Sequence, residues 1–345
     1  MHATASDPIA PDRILQTGLA FWRSKALLSA VELDLFTVLA EGPLSGEQLR
    51  QRTGLHPRAV PDFPDTLVAL GFLEREGCGR HACYCNTPET RAFLDRNGSR
   101  YVGGMLEMAN ARLYRFWGDL TEALKTGEPQ NEIKHRGEPM FATLYEDSAR
   151  LEQFMAAMTG ISAGNFELLA ERFDFDRYLT LADIGGATGQ LAACVATRHP
   201  HLRCTTLDLP AVTAIARRDL ERRGLAQRVS AQSLDFFADP FPAAEVITMG
   251  MILHDWNLEK KLLLMRKAYD ALPAGGCLIA VDNLIDDERR TNAFGLLMSL
   301  NMLIEFGDAF DYSGADFTGW ARSIGFVRTE VIPLAGPGAA AVAWK

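Results

Sequence analysis

Residues 181–192 read LADIGGATGQLA, and the reading of that stretch decides the fold. An apolar run closes on an acid, Asp183, then passes through Gly185, Gly186 and Gly189 into helix-favouring residues. That order is a strand, a tight turn and a helix start. The glycines let the backbone turn sharply and let a ligand approach it. Such a turn alone proves only a close approach. Ala187 stands where the dinucleotide fingerprint has its second glycine, and no Lys-Ser or Lys-Thr pair follows, so the turn is neither that fingerprint nor a P-loop.

Working outward, strands are expected at residues 180–184, 203–208, 228–232, 245–249, 277–282, 326–332 and 339–344, with helices between most of them. Alternation at that spacing predicts an α/β fold with a mostly parallel sheet, doubly wound by helices on both faces. The last two strands are separated only by PLAGPG, too short for a crossover, so they form an antiparallel hairpin. Functional side chains gather at the carboxyl ends of the parallel strands, where open α/β sheets bind ligands. Asp208 closes the second strand, placed to accept ribose hydroxyls; Asp235 and Phe236 follow the third; the fourth ends in ILHDW, with His254 and Trp256. Each acid alone reads as a cap or turn residue. Four such positions in chain order argue for one ligand-binding edge.

The amino-terminal part has a different texture. Residues 14–40 carry apolar residues at helical spacing and read as one or two buried helices. Ser45, with Gln48 three residues on, forms a capping box. PDFPDTLVALGFLERE follows as a helix opened by Pro61 and Pro64 in its first turn, with Pro57 to Gly71 in the place of a recognition helix, and then comes a hairpin through CGRHACYC. That succession is a winged-helix arrangement. A groove-reading helix is basic or amide-rich outside, whereas this one sets Arg58 against Asp62 and Asp65 before the apolar TLVALGFL. An assembly role, with the apolar helices buried between two copies, suits it better. Cys78, His81, Cys83 and Cys85 lack the paired spacing of structural zinc sites and read as hairpin residues, so no metal is expected.

The 345 residues carry 35 basic and 44 acidic side chains, a net charge of −9, which argues against nucleic-acid or anionic-membrane partners. At 48% apolar and 23% charged, the composition is that of a globular protein. The opening MHATASDPIAPDR has neither a basic nor an apolar leader region, and no apolar run approaches the roughly 20 residues of a membrane span. A cytoplasmic protein with its cysteines reduced is the expectation.

LADIGGATGQLA, TTLDLPAV, SLDFFADPFP and MILHDWNLEKKLLLMRKAYDALPAGGCLIAVDNLI together resemble the S-adenosylmethionine-dependent small-molecule O-methyltransferases, such as the caffeate, isoflavone, acetylserotonin, mitomycin and anthracycline enzymes. The resemblance covers nearly the whole chain. It implies a winged-helix-like dimerisation domain at residues 12–100 and a Rossmann-like class I methyltransferase domain at 101–345, the latter with acceptor-site helices over 101–172 and the core over 178–345. It also implies a homodimer and the cofactor S-adenosyl-L-methionine, held by Asp183, Gly185, Gly186, Asp208, Asp235, Phe236 and Gly250 with Leu209 and Trp256 beside the adenosine. His254 becomes the general base, flanked by Asp282 and by Asp311. The chain departs from the family where it reads GDAFDYS in place of the usual GGRER(S/T), and where Gly250 and Met251 stand instead of a basic or serine residue. Phe154, Met155 and Met158, with Met298, Asn301 and Met302, fall on the family's acceptor-facing helices, and such a lining suits a flat aromatic acceptor.

The chemistry is an in-line displacement at a sulfonium methyl. Alignment alone can supply on the order of 7–11 kcal/mol, and a positioned base typically about 10²–10⁴-fold. No metal is needed. Transfer to nitrogen or carbon, a relative that keeps the cofactor but hydroxylates, and a winged-helix regulator are the competing readings.

Overall fold

The computed structural model describes residues 9–98, 100–136 and 148–345. The chain divides into two compact units, one ending at Arg112 and the other beginning at Leu113.

In the first unit, helices Asp12–Gly18, Ala20–Glu32 and Leu35–Ala40 replace the one or two helices expected over 14–40. The breaks fall at Leu19 and at Leu33–Asp34, where Asp34 takes a left-handed φ of 53°. The expected burial also fails at the amino-terminal end: the first helix has no buried residue, and Ile14, Leu15, Leu19, Phe21 and Trp22 are exposed. Apolar spacing sets which residues share a face, and nothing in this unit covers that one. The capping box forms at Ser45 and Gln48. The expected helix from Pro57 is a 3₁₀ turn, Pro57–Ala59, and then a helix Asp62–Ala69, because Pro61 has no N–H to continue the ladder. Strands β1 (Leu44–Ser45), β2 (Leu73–Glu76) and β3 (Cys83–Asn86) form the wing in the order β1-β3-β2. Tyr84 is buried beneath it, with Cys83 and Cys85 on the opposite face.

The second unit is built on strands β4 (Thr180–Ile184), β5 (Arg203–Asp208), β6 (Val229–Ser233), β7 (Val246–Gly250), β8 (Cys277–Asp282), β9 (Arg328–Pro333) and β10 (Ala339–Trp344). Their order is β6-β5-β4-β7-β8-β10-β9. β4 to β8 pair in parallel, and β10 runs antiparallel to both β8 and β9. Along β8, Cys277, Ile279 and Val281 enter one core while Leu278 and Ala280 enter the other. The first core is covered by helices Ser148–Arg172 and Gln190–Arg198, the second by Leu258–Ala271 and Gly314–Ile324. A sheet buried on both faces has this near-continuous apolar alternation. The crevice opens where the strand order reverses, between β4 and β7, at their carboxyl ends. Within the stretch 101–172 a short helix, Glu132–Arg136, ends just before residues that lie outside the described ones.

Candidate active site

The glycine turn after β4 forms one half of the crevice. Gly185 and Gly189 take φ of 67° and 76°, and Ala187, in the middle, accepts a left-handed φ of 50°. A Cβ on Gly186 would lie 2.1 Å from Thr206 Oγ1 and 2.5 Å from Asp183 Oδ2, so only glycine fits. Asp183 accepts from Thr248 Oγ1 at 2.7 Å, which ties β4 to β7, while its Oδ2 is buried without a hydrogen-bond partner. Burial pushes its carboxyl up to about 7. Asp208 accepts from the Ala187 N–H at 2.9 Å and the Leu209 N–H at 2.8 Å. Burial again dominates and raises its pKa, against the opposing pull of those amides.

Asp235 is exposed and closes its own turn, accepting from the Phe237 N–H at 2.9 Å and the Ala238 N–H at 3.2 Å. Phe236, Phe237 and Trp256 pack edge to face, with Trp256 4.7 Å from Phe237 and 6.0 Å from Phe236 between ring centroids. A Cβ on Gly250 would come 2.9 Å from the Phe166 ring, so packing accounts for that glycine.

His254 sits in a 3₁₀ turn, Leu253–Asp255, just past β7 and is 5% exposed. Its Nε2 lies 3.4 Å from Asp255 Oδ1 and its Nδ1 lies 3.6 Å from Asp311 Oδ1. Asp282, at the end of β8, accepts from the Tyr312 hydroxyl at 2.5 Å. The structure therefore gathers His254, Asp282 and Asp311 and adds Asp255 as the second acid on the ring. Burial, the largest single influence, disfavours the imidazolium. Asp255, Asp311 and Asp282 together outweigh it and hold the ring up at about 10. Burial pushes the Asp282 carboxyl up to about 7, against the pull of His254 and the Tyr312 hydroxyl.

The expected acceptor residues fall in two places. Met155 is buried against Leu151 and Val212, and Phe154 packs on the same cluster beside Ala187, so both cover the glycine turn. Thr159 extends that contact through its hydroxyl, 2.9 Å from that of Thr188. Met158 is half-buried on the same helix. Met298, Asn301 and Met302 lie on helix Ala293–Phe306, which packs against the turn bearing His254. Asn301 accepts from Trp117 Nε1 at 2.9 Å.

Asp255, Tyr312, Trp117 and Lys261 are site or support residues that the sequence reading did not single out. Asp255 adjoins His254 and so carries a signal of proximity. Lys261 stands in the charged run EKK, yet its spacing to Leu264, Met265 and Ala268 is that of one helix face, and all four are buried. Tyr312 and Trp117 carry no sequence signal, because their partners lie 30 and 184 residues away. Among the described residues no group of three or more His, Cys, Asp or Glu is arranged to hold a metal ion. No helix among them is long and apolar enough to cross a membrane.

Comparison with known proteins matches residues 117–327 to the O-methyltransferase domain and residues 15–96 to the O-methyltransferase dimerisation domain. The chain is 40% identical to the tetracenomycin polyketide synthesis 8-O-methyl transferase TcmO of Streptomyces glaucescens, over 97% of each chain. It is 37% identical to the N,N-dimethyltransferase OxyT of Streptomyces rimosus, over 94% of each. Human N-acetylserotonin methyltransferase, solved in complex with SAM, superposes with a TM-score of 0.90 at 26% identity over 99% of each chain.

Proposed function

Because the chain belongs to the S-adenosylmethionine-dependent O-methyltransferase family, we propose that it transfers a methyl group to a hydroxyl of an aromatic or polyketide-like small molecule. The observation that carries this reading is His254, buried at the crevice with a carboxylate 3.4 Å from one ring nitrogen and another 3.6 Å from the other.

The residues present fit the cofactor. Asp183 Oδ2 and Thr206 Oγ1 are buried without hydrogen-bond partners beside Gly186, where a side chain would fill the space. Asp183, Gly185, Gly186, Asp208 and Leu209 would hold it, with Asp235, Phe236, Gly250 and Trp256 on the adenosine side. When bound, S-adenosylmethionine supplies a methyl already activated by its sulfonium, so no metal is called for.

The chain's own task is then to align the acceptor, exclude water and take the hydroxyl proton. His254 is the proton acceptor. Its carboxylate neighbours raise its affinity for a proton and so stabilise the imidazolium that forms as the hydroxyl proton arrives. Asp311 and Asp255 hold the ring and balance the charge it gains. Asp282 adds negative potential from behind, kept in place by Tyr312. The Met and Phe side chains offer flat apolar walls. The exposed Ile14, Leu15, Leu19, Phe21 and Trp22 supply the surface through which two copies pair. Transfer to nitrogen is the second reading, favoured by the similarity to an N,N-dimethyltransferase.

The test incubates the protein with labelled S-adenosylmethionine and a panel of phenols, heteroaromatic amines and enolisable polyketides, with mass spectrometry locating the new methyl. Methylation of a hydroxyl, lost in H254A with cofactor binding retained, is expected. Transfer confined to amine or carbon acceptors would overturn the hydroxyl assignment, and undiminished hydroxyl turnover in H254A would overturn the role of His254.

A further inference from the structure

Lys261 is completely buried in helix Leu258–Ala271. An ammonium is expensive to bury unless its donors are used. Here Nζ donates to the carbonyl of Trp256 and, at 2.8 Å, to the carbonyl of Phe310, and it lies 3.8 Å from the centroid of the Phe310 ring. Those two carbonyls belong to the segments that carry the proton-handling residues. Trp256 follows His254 by two positions, and Phe310 immediately precedes Asp311. The two segments are separated by 54 residues in the chain and meet at the imidazole.

We propose that Lys261 is a positioning residue that ties the His254 turn to the Asp311 segment, fixing their separation and supplying the cation of the buried cluster. The proposal rests on the function assigned above. The groups that face the ammonium are Asp282, Asp311, Asp255 and Asp308. Burial pushes its pKa down, and those acids pull it back only part of the way, to about 8. Without this cation the carboxylates have His254 as their remaining positive partner, so the imidazole keeps its proton to higher pH. Without the two donated hydrogen bonds, the Trp256 side of the crevice and the Asp311 side lose their common anchor.

Two variants separate the tie from the charge. K261M removes donors and cation; K261Q removes the cation and keeps an amide donor. In K261M, kcat for a hydroxyl acceptor should fall at least tenfold with the acceptor KM within about threefold. K261Q should retain more of kcat. In both, the acid limb of the kcat–pH profile should move to higher pH. Calorimetric binding of S-adenosylhomocysteine should weaken several-fold in K261M, since Trp256 loses its carbonyl anchor. If K261M does not fold, K261Q carries the pH and calorimetric readouts. A folded variant with the wild-type pH profile, kcat and S-adenosylhomocysteine affinity would overturn the proposal, as would a lowered melting temperature as the sole change. If the wild-type protein binds S-adenosylhomocysteine but methylates no hydroxyl, the functional reading fails, and the affinity ratio between wild type and variants still decides the role of Lys261.

Discussion

The same sheet edge buries acids in two different ways. At the ends of β4 and β5, Asp183 and Asp208 accept from fixed donors: a threonine hydroxyl and backbone amides. Past the ends of β7 and β8, Asp255 and Asp282, joined by Asp311 from the segment after helix Ala293–Phe306, surround a titratable ring. Backbone amides cannot give up a proton at any working pH, so the first half is suited to holding a ligand. The second half exchanges charge within itself, which suits proton transfer. The difference lies in the partners, since both halves use the same acid, aspartate.

That contrast can be broken from either side. The largest effect is expected at His254: H254A should cost about 10²–10⁴-fold in kcat on a hydroxyl acceptor while S-adenosylhomocysteine binding, read by calorimetry, stays unchanged. D208A should do the reverse, weakening that binding by roughly 10–100-fold, the size expected for losing hydrogen bonds to a charged group, with modest change in kcat at saturation. D311N comes next. Removing one acid from the ring lowers its affinity for the proton, so the acid limb of the kcat–pH profile should move to lower pH and kcat should fall by about tenfold.

Stability gives smaller and slower signals. His254 has its folded pKa raised from 6.5 to about 10, so its contribution to stability is complete below 6.5 and is lost as pH rises through 10. Asp282 is raised from 3.8 to about 7, so its contribution is likewise lost as pH rises, through 7. Urea midpoints should therefore decline from pH 5 to pH 10 in the wild type, with a shallower decline in H254A. The smallest effect is expected at Asp183. D183N removes a buried carboxyl that would otherwise have to ionise, so it should raise the melting temperature by a few °C at pH 8 while weakening the cofactor. A lowered melting temperature would mean that the carboxylate is balanced by donors beyond Thr248.

Much of the fold could be read directly from residue order. The strand ends fall within two residues of expectation, because alternation and glycine punctuation are local properties. The left-handed turn through Gly185 and Gly189 and the cap at Ser45 were legible for the same reason. The break at Leu33–Asp34 was not, since no Gly or Pro stands there, whereas the break at Leu19 has its signal in Gly18 just before it.

Residue order by itself determined the doubly wound sheet, the positions of its carboxyl ends and the residues that stand there, because period, turn chemistry and side-chain type act over a few residues. Only the tertiary structure decided which acids face His254, that Asp255 belongs among them, and that Lys261 is buried. Burial and charge depend on what distant segments bring within a few ångströms. Thus Tyr312 meets Asp282 from 30 residues away, and Lys261 meets Phe310 from 49.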